Sequence, residues 1–145
     1  MEKLINRRFS PSQKLSVMLL IILFLQFILG IYTNLYIPVS TKVGGIAFKM
    51  GYMMGSIGNY GPIFMLHMML GPILVIFSLI TFILAIVSKT KAEIIFSSLG
   101  LISIDIAGFA GMTFFMGGAN NIYSFIMALG FIVAFSAYFS NLIRS

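Results

Sequence analysis

Residues 60–87 read YGPIFMLHMMLGPILVIFSLITFILAIV, without one Asp, Glu, Lys or Arg. A helix needs roughly 20 residues, at about 1.5 Å each, to cross ~30 Å of hydrocarbon. This run is long enough to do so and too apolar to face water. Working outward from it, three further runs share its character: residues 15–31, residues 94–116 broken only by Asp105, and residues 122–143. Four spans predict an all-α integral membrane protein, an antiparallel four-helix bundle forming one domain over residues 1–145, with a long outer loop at 33–59.

Composition supports that reading. Of the 145 residues, 60% are hydrophobic and only 8% are charged, with a mean hydropathy of +1.10. A soluble domain carries about 25% charged residues, so this chain has too little polar material to coat a water-facing surface. A soluble enzyme, a nucleic-acid-binding module and a disordered tail are thereby excluded. The chain has no cysteine, which removes disulfides, thiolate metal ligands and CxxC redox relays. It also lacks a phosphate-binding loop, a dinucleotide fingerprint, an HExxH helix and a Ser/His/Asp set, so hydrolysis has no support.

Charge placement predicts orientation. Lys3, Arg7, Arg8 and Lys14 precede span one, Lys89 and Lys91 lie between spans two and three, and Arg144 follows span four; only Lys42 and Lys49 fall on the other side. The positive-inside rule then puts both termini in the cytoplasm of a multi-pass cell-membrane protein. Tyr32, Tyr36, Tyr52, Tyr60 and Tyr123 fall at outer span ends, and Tyr138 near the inner face. The net charge of +6 therefore reads as topology rather than as a nucleic-acid partner. Span one follows a basic leader, yet it exceeds a signal-peptide core and no small-x-small cleavage site follows in ILGIYTNLY, so it reads as a retained helix.

The connections at 88–92 and 117–121 are short, which predicts antiparallel neighbours. The outer loop holds Pro38 and several glycines with Ile46, Phe48, Met50, Met53 and Met54, a mixture expected to lie across the outer mouth of the bundle. Ser103, Ala107 and Gly111 recur every fourth residue in span three, with Gly100 and Gly108 nearby; Ser124 with Ala128 and Gly130 with Ala134 do so in span four. Such stripes let backbones approach closely in lipid. They serve a compact bundle or, on a rival reading, the docking of a larger partner. Gly71 followed by Pro72 predicts a locally opened helix with a freed carbonyl.

Two ionisable residues remain within the hydrocarbon, His67 and Asp105. Their depths differ by about 6 Å, so neighbouring helices can bring them together, directly or through a water. Three readings stay open. In the first, His67 is an axial ligand of haem b, Asp105 or a carbonyl fixes its tautomer, Gly71 leaves flat space for the porphyrin, and Met112 (or Met65, Met68 or Met69) or a second copy's His67 completes the axial pair. A quinone in an outward pocket lined by Gln26, Thr33, Asn34, Asn59, Asn120, Asn121 and Ser124 is the related case, with Lys42 and Lys49 available to anionic groups. The alternative for Asn120, Asn121 and Ser124 is capping of span four. In the second reading His67 and Asp105 handle protons. In the third they satisfy each other and hold the bundle together, and the protein is a non-catalytic accessory or scaffold subunit of a larger membrane complex or a homo-oligomer.

The segments GIYTNLYIP (30–38), FMLHMMLG (64–71), IAGFAGMTFFMGG (106–118) and YSFIMALGF (123–131) resemble a group of small four-span prokaryotic membrane proteins of unassigned function, over most of the chain. More distantly, the chain is similar to half-length haem A synthases and four-helix b-type cytochromes. That resemblance implies haem ligation by histidines near outer span ends, and here only His67 matches it. In haem A synthases a glutamate typically stands three residues before the first histidine and a second histidine follows; this chain has Phe64 there and no histidine in span four.

Overall fold

The computed structural model describes residues 9–36, 61–116 and 120–143. They form four helices: α1 (Pro11–Tyr36), α2 (Gly61–Ser88), α3 (Lys91–Met116) and α4 (Asn121–Ile143). All four are long and apolar enough to cross a membrane. α2 and α4 match the apolar runs expected for them to within one residue, whereas α1 extends four residues before and five after its run and α3 three before, because a helix continues through its polar caps after the hydrocarbon ends. Most of the outer loop, from residue 37 onward and including Lys42, Lys49 and Asn59, lies outside the described residues.

The helix ends are written locally. At α1, Ser10 and Gln13 form a capping box: the Ser10 amide donates to Gln13 Oε1 (2.9 Å) and the Gln13 amide to Ser10 Oγ (3.3 Å), with Pro11 pre-set for the first turn. Between α2 and α3, Lys89 adopts φ 58°, the left-handed conformation usual just past a helix end, and the Thr90 carbonyl accepts the first bond of α3 from the Ile94 amide. At α4, Asn120 Oδ1 accepts from the Ile122 amide at 3.0 Å, so the capping alternative holds for Asn120.

Packing runs around a ring, α1 on α2, α2 on α3, α3 on α4 and α4 on α1, with α3 on α4 the most extensive contact. Small residues make that seam. A Cβ at Gly130 would stand 2.9 Å from both the Ala107 Cβ and the Ser103 carbonyl; one at Gly111 would meet Met127 Sδ at 3.1 Å; one at Gly100 would fall 2.5 Å from the Tyr138 ring. The stripe is therefore used for packing inside the chain, as the compact-bundle reading expects, and Tyr138 is a core residue. Gly108 alone of these faces open space.

The interior is inverted relative to a soluble protein. Phe109 (74% exposed) and Val87 (71%) lie on the outside, while Ser12, Ser16, Ser78, Thr81 and Ser97 are fully buried. Buried hydroxyls bond carbonyls of their own helix, as Ser16 does to Ser12, Thr81 to Phe77 and Ser97 to Glu93. This satisfies them without water and lets helices pack closely. The apolar centre is a plug of Leu19, Leu23, Leu74, Ile104, Ala134 and Tyr138, flanked by Phe131 stacked on Phe27 at 4.2 Å.

Candidate functional site

His67 lies in the second turn of α2, about 31 Å along that helix from Ser88. Its ring is seated on α1, where Gly30 admits it: a Cβ at Gly30 would come within 3.2 Å of His67 Cε1. Gln26, one turn before Gly30, donates its amide to the His67 carbonyl at 3.0 Å. A helix-internal proline removes a donor and crowds the carbonyl four residues back, which for Pro72 is that of Met68, so the bond from Gln26 to the His67 carbonyl is an added tie between α1 and α2 beside that turn. The space beside Gly71 is taken by the same Gln26 amide, whose nitrogen would lie 3.8 Å from a Cβ there.

Two atoms at this point are buried without a hydrogen-bond partner, His67 Nδ1 and Gln26 Oε1. Asp105 does not supply one. No hydrogen bond or ion pair joins it to His67. The reason is azimuth. Gly30 draws His67 toward α1, Gly100 seats Tyr138 between α3 and α4, and Asp105 sits one residue off the buried Gly100–Ser103–Ile104 line of α3. A depth difference of only about 6 Å does not by itself imply contact. The Tyr138 hydroxyl itself lies by Ser78 but outside hydrogen-bond geometry.

The methionines nominated as second ligands turn outward: Met112 is 55% exposed, and Met65, Met68 and Met69 are exposed as well. Half-buried Asp105 is likewise unpaired near the middle of α3, where a carboxylate costs roughly 2.5–3.5 kcal/mol on insertion scales. Of the polar residues nominated for a pocket above His67, Thr33 donates to the Leu29 carbonyl and Ser124 to Asn34 Oδ1 at 3.5 Å. No group of three or more His, Cys, Asp or Glu able to hold a metal occurs among the described residues. An apolar groove of about 310 Å³, lined by Leu20, Ile21, Phe24, Leu25 and Phe135, lies between α1 and α4 and is suited to an acyl chain rather than a polar substrate.

The opposite end holds the cluster that sequence reasoning missed. Glu93, in the first turn of α3, is 3% exposed. One carboxylate oxygen, Oε2, accepts from Ser10 Oγ (3.1 Å), Ser88 Oγ (3.0 Å) and Ser12 Oγ. The network continues through Gln13, which donates to the Asn141 carbonyl (3.1 Å), and Asn141, whose amide donates to Ser16 Oγ (2.9 Å). All four helices are tied there. The N-termini of α1 and α3, with their partial positive charge, flank the acid and disfavour a cation. The signals were present as the S-x-x-Q box and an acid at a first helical turn, but Glu93 was read only as the boundary of span three.

Fold and site together define a class, a small four-helix protein of membrane-spanning proportions with a polar tie at one end and an unsatisfied imidazole toward the other. No family model, curated protein or solved structure matches the chain.

Proposed function

We propose that this protein is a non-catalytic subunit of a larger membrane assembly. On this reading it is an antiparallel four-span bundle in the cell membrane, with both termini cytoplasmic. The observation that carries the proposal is that the residues nominated to hold a cofactor do not converge. His67 turns to Gly30, the Gln26 amide lies beside Gly71, Asp105 bonds none of the described residues and Met112 is exposed. The apolar plug of Leu19, Leu23, Leu74 and Ile104 also separates the polar inner end from His67, which argues against a proton path through the chain. The test is the mass of the particle isolated from its native membrane in a mild detergent. A second polypeptide in fixed ratio with the 16.0 kDa chain is expected, and a particle holding this chain alone overturns the reading. Orientation is tested by a single cysteine, since the chain has none: Lys91→Cys should react only with reagent inside sealed right-side-out vesicles.

A second reading, a redox cofactor at His67, is favoured by its buried and unpartnered Nδ1. The described residues of one chain do not fit a haem b with two protein ligands, because each candidate methionine faces outward. Under this reading the second ligand is a second copy's His67, or the occupant is a quinone whose carbonyl accepts from the imidazole. It predicts a haem or quinone signal that His67→Ala abolishes.

A further inference from the structure

We infer that the face of α3 bearing Asp105 and Gly108 docks a transmembrane helix of another polypeptide that carries a lysine or arginine at mid-bilayer depth. The inference deepens the subunit reading and rests on it. Asp105 lies about 21 Å from the start of α3 and about 16 Å from its end, so it sits near the centre of the span. It is half-buried and makes no hydrogen bond or ion pair with the described residues. Three residues on, and thus on the same face, a Cβ at Gly108 would meet nothing within 4 Å. Phe109 and Met112, exposed, flank that notch. The notch lets another backbone approach closely, and the carboxylate beside it lacks a countercharge. Acidic groups inside membranes pair with basic ones, so charge complementarity names the occupant.

A second copy of this chain does not qualify. All nine Lys and Arg residues lie outside the four apolar runs, at positions 3, 7, 8, 14, 42, 49, 89, 91 and 144, so the spans of a copy offer no cationic side chain at this depth. Its one histidine is seated against Gly30.

The test uses the full chain, labelled through Lys91→Cys and reconstituted in phosphatidylcholine vesicles with a labelled leucine–alanine transmembrane peptide bearing one lysine at its midpoint. Energy transfer should report association about five- to tenfold tighter than for the same peptide with leucine at that position. Asp105→Leu should erase the preference, Asp105→Asn should leave only part of it, and Gly108→Leu should weaken it by filling the notch. Asp105→Leu removes a group that lipid disfavours, so the bundle should persist, and circular dichroism checks this. Equal association of the two peptides, or a lysine preference that survives Asp105→Leu, overturns the inference. So does energy transfer between two copies of the chain that Asp105→Leu abolishes, since the face would then be a homo-oligomer contact. A haem spectrum lost in His67→Ala would instead overturn the subunit reading, whatever the peptide does.

Discussion

At one end of the bundle, three serine hydroxyls from the starts of α1 and the end of α2 meet a single oxygen of Glu93; toward the other, His67 Nδ1 and Gln26 Oε1 are buried with no partner. Both places put polar groups out of water, and they do so to opposite effect. Where every donor has an acceptor, burial strengthens each bond and the helix ends are held in register. Where atoms are left over, burial is a cost that the fold carries. The first arrangement is built to hold the chain together. The second contributes little to stability and is the place where a ligand would gain most.

Substitutions can break this contrast. The largest effect is expected for Glu93→Ala, which removes the acceptor shared by three hydroxyls, of which Ser88 keeps the Ala85 carbonyl, and should destabilise the bundle by about 3 kcal/mol in detergent unfolding. An effect under ~0.5 kcal/mol would mean that the polar end is not a tie. Gly100→Ala should follow at about 2 kcal/mol, because its Cβ would fall 2.5 Å from the ring of Tyr138, which is fully buried. At the His67 end, Gln26→Leu removes one interhelical bond to a carbonyl and should cost about 0.6–1.7 kcal/mol. His67→Leu should change stability by less than ~0.5 kcal/mol, since an orphaned polar atom leaves with the ring. A loss above ~2 kcal/mol there would show that His67 is bonded in the membrane and that the two ends are alike. The smallest effect has the opposite sign: Lys89→Gly, at φ 58°, should raise the melting temperature by relieving about 1 kcal/mol of left-handed strain.

How far the sequence foretold this varies by feature. The four spans were legible because hydrocarbon imposes length and apolarity on any crossing helix, and residues 60–87 became α2 (Gly61–Ser88) almost unchanged. The expected opening at Gly71 and Pro72 does not interrupt α2, which runs from Gly61 to Ser88, and the bond from Gln26 of α1 to the His67 carbonyl was not legible. His67 stood out as the one histidine. Its pairing with Asp105 failed because position along a helix gives depth, whereas contact also needs azimuth, and that was decided by which glycines admit which rings. Glu93 escaped notice because an acid at a span boundary looks solvated until four helix ends are brought around it. The stripe of Ser103, Ala107 and Gly111 was recognised as a packing surface, and only the fold could say that its partner was α4.

The most direct test of the functional account is an optical spectrum of the purified protein, oxidised and then reduced with dithionite, before and after haem is added. The account predicts no Soret band and no sharp reduced bands in any condition, with His67→Ala indistinguishable from the unaltered chain. A Soret band with sharp reduced bands that His67→Ala abolishes would contradict it and make His67 a haem ligand.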